Sequence, residues 1–208
     1  MTISYPNGKK YLAPAQDSPT PVKKNENDHV IFGKRGMRLE DAINESNDYY
    51  RVHDQAVVYK KPTPVQIVHV DYPARSQAVI KEAYFRTPST TDYNGVYRGY
   101  YLDFEAKQTK NKQSFPLKNY HQHQIDHFRR CLAQDGICFT LMQFADPETV
   151  YLFPATTLLA YWDQYQGRHS IPRKEVAAAG FELTVGFAPP IPYLDAVDAL
   201  ITRTEAQK

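Results

Sequence analysis

Three charged side chains at hairpin spacing carry the sharpest chemistry in this sequence: Asp92, then Glu105 thirteen positions later, then Lys107 closing Glu105-Ala106-Lys107. Phosphodiester hydrolysis needs a hard divalent cation, a water to attack, and charge stabilisation on the scissile phosphate. Mg²⁺ takes a few carboxylate oxygens and keeps several of its waters. Asp92 and Glu105 on adjacent strands would supply two such oxygens. Lys107 emerges on the same face as Glu105, about 7 Å along by strand rise. There it can orient or help deprotonate the water and stabilise the pentacovalent transition state. Two carboxylates held close repel each other unless a proton or cation sits between them, so bound Mg²⁺, or Mn²⁺ in its place, resolves the arrangement. Thr90, within Ser89-Thr90-Thr91, and the amide oxygen of Gln124 are further hard donors within reach. A blander alternative stands beside this one. In it Asp92 caps a turn, Glu105 and Lys107 are solvated strand residues, Thr90 is a turn hydroxyl and Gln124 faces solvent on a helix.

The elements that must position these residues follow from the patterning. Residues 92–109 predict a β-hairpin turning at Tyr97-Arg98-Gly99. On its second strand Tyr101, Asp103, Glu105 and Lys107 share one face, and Leu102, Phe104 and Ala106 share the other. One face is expected to bury and the other to present its charges. Ile125, Phe128 and Leu132 at helical spacing predict a helix from about Tyr120 to Gln134, ended by Gly136. Upstream, a helix begins near Arg38 and a strand runs over Ala56-Val57-Val58-Tyr59, broken by Lys60-Lys61-Pro62-Thr63-Pro64. Short β runs at Ile67–Val70 and Ala78–Phe85 read as an excursion from the core at about 60–85, with Tyr84 and Phe85 expected to pack inward. Strands at Ile137–Phe144 and Val150–Phe153, then helices near Ala155–Tyr165 and Tyr193–Thr202, complete a core of α/β class.

Composition narrows the function classes. Residues 1–30 are rich in Pro, Lys, Asn and Asp without periodicity and read as a cationic tail, leaving 31–208 as a single domain. No apolar run approaches the roughly 20 residues that span a bilayer, and Met1–Lys10 has no apolar core of a signal peptide, so the expectation is cytoplasmic. The two cysteines, Cys131 and Cys138, are too few for a disulfide framework or a four-thiolate zinc site, and read as reduced core residues. His121 and His123, two apart, would diverge on a helix and match no zinc-hydrolase pattern. The net charge of +2 hides an asymmetry. Residues 1–130 carry 20 Lys/Arg against 14 Asp/Glu, and residues 131–208 carry 5 against 9. A basic front portion suits a polyanion partner.

Several blocks resemble the RecU Holliday junction resolvases: Tyr5-Pro6-Asn7-Gly8-Lys9, Gly33-Lys34-Arg35-Gly36-Met37, Lys60-Lys61-Pro62-Thr63-Pro64, Asp71-Tyr72-Pro73-Ala74-Arg75, Ser89 to Tyr97, Leu102 to Lys107, Ser114-Phe115-Pro116-Leu117 and His121 to Ile125. They run in order across about residues 5–145. The resemblance implies a restriction-endonuclease-like nuclease core of the PD-(D/E)xK class with a protruding stalk at the excursion. It also implies a homodimer acting on four-way junction DNA, and modulation of the RecA recombinase. In that family Mg²⁺ is held at positions that fall on Thr90, Asp92, Glu105 and Gln124, and the transition-state stabiliser falls on Lys107. Lys34, Arg35, Lys60, Lys61, Arg75 and Lys81 would lie near phosphates, with stacking of Tyr84 and Phe85 on unpaired bases as the alternative to burial. Three functions compete: a junction endonuclease, a non-catalytic junction-binding and RecA-modulating protein, and a general duplex nuclease.

Overall fold

Along the chain, α1 (Leu39–Val52) leads into β1 (Val57–Lys60), the paired strands β2 (Val65–Asp71) and β3 (Val79–Phe85), and the hairpin β4 (Tyr93–Tyr97) and β5 (Tyr100–Thr109). Then follow β6 (Ser114–Pro116), α2 (Gln122–Leu132), β7 (Ile137–Ala145), β8 (Glu148–Pro154), α3 (Ala155–Asp163), β9 (Ser170–Pro172), α4 (Arg173–Ala179), β10 (Phe181–Leu183) and α5 (Leu194–Glu205). This is a computed structural model, and it describes residues 38–72, 78–145, 148–164 and 169–206. All of these belong to the compact unit Met37–Lys208; the tail at 1–30 lies outside the described residues.

Six strands form the central sheet in the order β1-β4-β5-β7-β8-β10. Neighbours pair antiparallel except β5 and β7, which run parallel with Glu105 opposite Thr140. A parallel pair cannot be joined by a tight turn; here β6 and α2 make the crossover. Residue alternation sends the two faces of the sheet into different cores. Leu102, Phe104, Phe139, Leu141 and Leu152 pack with α1 and α5, whereas Cys138, Met142, Phe144, Tyr151 and Phe153 pack with α2, α3 and α4. The rings of Tyr93, Phe104 and Phe139 stack at 4.8 and 4.7 Å between centroids, which pins β4, β5 and β7 in register.

The hairpin turn holds Arg98 at φ 50° and Gly99 at φ 86°, two left-handed residues whose twist matches that of the flanking strands. The Arg98 guanidinium reaches Asp198 on α5 at 3.0 Å, anchoring the turn. The small pair β6–β9, the helix α4 and the edge strand β10 were not legible beforehand, because runs of three to seven residues are too short to display a period.

The excursion exists, in part where the sequence places it. β2 and β3 form a separate two-stranded sheet with an irregular register around His69. Every residue of β3, and all of β2 but Val70, is exposed. Tyr84 and Phe85 are exposed, not packed inward, since among the described residues no other layer covers this ribbon. Lys60 and Lys61 precede the ribbon. Lys60 ends β1 in the central sheet and lies 2.5 Å from Glu40 on α1. Lys61 turns inward.

Gly95 of β4 sits between Val58 and Leu102. A Cβ there would overlap Val57 O and stand 2.6 Å from Val58 Cα, both rigid backbone positions. Gly95→Ala is therefore expected to lower stability by about 1–3 kcal/mol in a denaturant titration. An unchanged midpoint would show that β1 is not clamped against the hairpin as described.

Candidate active site

Glu105 has no solvent exposure. The sequence suggested that Asp103, Glu105 and Lys107 would line a solvated face, but α2 lies over it, so Asp103 and Glu105 are buried and Lys107 is half-buried. The reason is topological: the crossover helix between the parallel strands β5 and β7 must cover one face, and it covers this one.

The three residues with the strongest chemical reading come together. The main-chain N–H of Asp92 donates to Glu105 Oε2 at 3.1 Å, and Lys107 Nζ lies 2.8 Å from Glu105 Oε1. That second contact pairs the buried Oε1 with the Lys107 ammonium, and among the described residues no main-chain N–H donates to it. Burial, then hydrogen bonding with Asp92, pushes the Glu105 carboxyl up to about 8, while Lys107 opposes the shift. A carboxyl this reluctant to ionise, beside a second carboxylate, is one that a divalent cation would relieve. The blander alternative of a solvated Glu105 does not survive its burial.

Thr90 lies on the approach to Asp92, its hydroxyl donating to Thr91 O at 3.2 Å. Gln124 is buried in the first turn of α2, where its Oε1 accepts from His121 N at 3.0 Å in a capping box. This also departs from a solvent-facing residue. α2 runs opposite to β5. His127 lies 3.0 Å from Asp103 at one end, and His123 is influenced by Lys107 and Asp92 at the other. Gln124 falls between them. Its carbonyl oxygen retains a second lone pair. Carboxylates, an amide oxygen and a hydroxyl form a hard donor set that suits Mg²⁺ or Mn²⁺.

Sequence reasoning overlooked three features. Asp103 is as buried as Glu105 and accepts from Thr91 Oγ1, Tyr101 OH, Lys61 and His127. Its place on the Glu105 face was visible, but its partners come from distant segments. His121 and His123 do not diverge. His121 precedes the helix, and the two rings stack at 5.6 Å beside the site. Burial, with His121 and Lys107 after it, lowers the His123 pKa. Cys138 is buried as expected, and Cys131 is partly buried against the same apolar cluster, with its Sγ 3.5 Å from His127 Nε2. Asp103, His127 and Cys131 place one donor each within 4.8 Å of one another, a group that could hold a metal ion.

The residues put forward for phosphate contact scatter. Lys81 is exposed on β3, 3.5 Å from Asp71. Lys60 is exposed beside Glu40. Lys61 is largely buried against Asp103 at 2.8 Å, so it has little reach toward a phosphate. Lys34, Arg35 and Arg75 lie outside the described residues.

Comparison with known proteins gives a single picture. The family model for RecU, recombination protein U, matches residues 34–199. A protein of Lacticaseibacillus casei named Holliday junction resolvase RecU is 61% identical over 203 residues, covering 97% of this chain and 96% of the relative. Proteins of the same name from Latilactobacillus sakei and Limosilactobacillus reuteri are each 56% identical, over 205 and 206 residues, across 98% and 97% of this chain and 98% of each relative.

The burial of Glu105 has a measurable linkage. Its pKa is about 8 in the fold against an ordinary 4.5, so between those values the folded chain binds the extra proton. Stability without a divalent ion then falls as pH rises from about 4.5 through about 8. A bound cation reverses this, and the Mn²⁺-induced rise in Tm is expected to be larger near pH 8.5 than near pH 6. Glu105→Gln should remove the difference. Equal Tm gains at both pH values in the unaltered chain would contradict the assignment.

Proposed function

This chain belongs to the RecU family, and on that premise we propose that it resolves Holliday junctions by paired, symmetric, metal-dependent cuts in the course of recombination and DNA repair. The observation that carries the reading is the fully buried Glu105 carboxyl, held between the Asp92 main-chain N–H and the Lys107 ammonium. A carboxylate just before β4 and another on the adjacent β5, with a lysine two residues after the second, form the core expected of the PD-(D/E)xK class.

Thr90, Asp92, Glu105 and Gln124 would hold Mg²⁺, or Mn²⁺ in its place. When bound, that ion polarises the scissile phosphate and lowers the pKa of a water at the site. The chain's own residues do the rest. Lys107 places its side-chain nitrogen beside Glu105, where it offsets charge developing on the phosphoryl oxygens. α2 covers the carboxylates on their inner side and excludes water there, which strengthens each electrostatic contact. The ribbon β2–β3 serves as the stalk, with Lys81 close to phosphates and the exposed Tyr84 and Phe85 free to stack on unpaired bases at about 1–3 kcal/mol each. Lys60, exposed beside Glu40 of α1, can contact the backbone from that side.

A junction is cut at two symmetric positions, so a homodimer with one site per protomer fits the task. Phosphate contacts position without reading sequence, so the four-way shape would dominate recognition. A modulating contact with the RecA recombinase belongs to the same reading as a second role beside cleavage. None of the described helices is long and apolar enough to cross a membrane, and the activity would act in the cytoplasm, where the chromosome is reached.

Cleavage of a mobile four-way junction and of plain duplex, each with Mg²⁺ and with EDTA, tests the proposal. Paired nicks in the junction alone, abolished by EDTA, are expected. Equal cutting of duplex would point to a general nuclease instead. Asp92→Asn and Lys107→Ala should each abolish cleavage and leave junction binding intact, and native nicking by either would refute the assigned site. Lys81→Ala should flatten the salt dependence of junction binding by about one unit of slope, and an unchanged slope would remove Lys81 from the interface.

A further inference from the structure

Asp103 is fully buried two residues before Glu105 on the same face of β5, and the chemistry above does not use it. Its carboxylate is met from four directions. Thr91 Oγ1 donates to Oδ1. Tyr101 OH donates to Oδ2 at 2.9 Å, Lys61 Nζ at 2.8 Å, and His127 Nε2 lies 3.0 Å away. Lys61 reaches further. Its Nζ also donates to Thr91 Oγ1 at 3.0 Å, and its main-chain N–H donates to Asp92 O at 2.7 Å.

Asp103, His127 and Cys131 could together hold a metal ion, but the Lys61 ammonium stands 2.8 Å from Asp103 and 3.5 Å from His127 Nε2. It already supplies the positive charge at that place. Imidazole and thiol donors are also softer than Mg²⁺ favours. What the cluster can do instead follows from its neighbours in sequence. Thr91 lies between Thr90 and Asp92. Lys61 grips the main chain of Asp92. His127 follows Gln124 by about one helical turn, and Asp103 itself precedes Glu105 by two residues.

We propose that Asp103, with the Lys61 ammonium against it, is the positioning residue of the cation site, tying the Thr90–Asp92 segment, β5 and α2 to one buried point. The proposal rests on the cation-site reading given above. Each element carrying a donor is joined to the same carboxylate, so the spacing of Asp92, Glu105 and Gln124 depends on it. A buried polar network of this kind is rigid when complete and costly when a member is missing. Groups that orient metal ligands from behind typically contribute a factor of about 10–100 to metal affinity.

Mn²⁺ binding to the full chain, followed by calorimetry and by the electron paramagnetic resonance of free Mn²⁺, tests this. Thr91→Val removes the hydroxyl with little change of shape, and Thr91→Ser restores it. Thr91→Val is expected to weaken Mn²⁺ binding by about 10–100-fold with an unaltered circular dichroism spectrum. The Mg²⁺ concentration for half-maximal cleavage should shift by the same factor, and junction binding in EDTA should stay as it was. Thr91→Ser should return Mn²⁺ affinity to within a few-fold of the original. His127→Leu, acting from α2, should weaken binding in the same direction. Native Mn²⁺ affinity in Thr91→Val, or no recovery in Thr91→Ser, overturns the positioning role and leaves the resolvase reading intact. If the unaltered chain binds no Mn²⁺ that Asp92→Asn removes, the cation site itself fails and the positioning role falls with it.

Discussion

Two carboxylates buried side by side on one face of β5 set the terms for the rest of this molecule. A buried charge is costly unless hydrogen-bonded and paired, and the fold meets that demand unequally. Asp103 is surrounded by Thr91, Tyr101, Lys61 and His127. Glu105 has the Asp92 amide and the Lys107 ammonium. The first carboxylate is satisfied from within the protein. The second has fewer partners, and its burial pushes its pKa up.

The sheet produces this inequality through its topology. One parallel pair, β5 with β7, sits among antiparallel neighbours, and its crossover brings α2 down on the charged face. The opposite face is occupied by stacked rings and the helices α1 and α5. β5 is therefore rigid on one side by aromatic packing and enclosed on the other by a helix whose first turn carries Gln124 and His123. Charges placed on such a strand keep their positions, as a transition state requires.

Beside this enclosed centre the ribbon β2–β3 has the opposite character. Its side chains are exposed, apolar ones such as Ile67, Ile80 and Phe85 included. An uncovered two-stranded sheet gains little from its own packing, which suits a surface that meets a large partner. On the proposed reading, chemistry and grip are divided between a buried strand and an exposed one.

Much of this was legible in the residues themselves. Local patterning predicts α1, the 92–109 hairpin, α2, β7, β8 and α5, because each is long enough to show its period. The D…ExK spacing, together with the resemblance to RecU resolvases, singles out Asp92, Glu105 and Lys107, and the family comparison agrees with that resemblance. Periodicity also shows that Asp103 and Glu105 share a face. It does not tell which face is covered, because alternation along a strand is blind to what another segment lays upon it. Only the tertiary structure decided that both carboxylates are buried, that Lys61 turns inward to Asp103 instead of outward, and that Tyr84 and Phe85 remain exposed. The physical reason is the same in each case. Local sequence governs the direction of a side chain relative to its own backbone, whereas burial and charge pairing depend on contacts across tens of residues, such as Lys61 with Asp103 and Asp103 with His127.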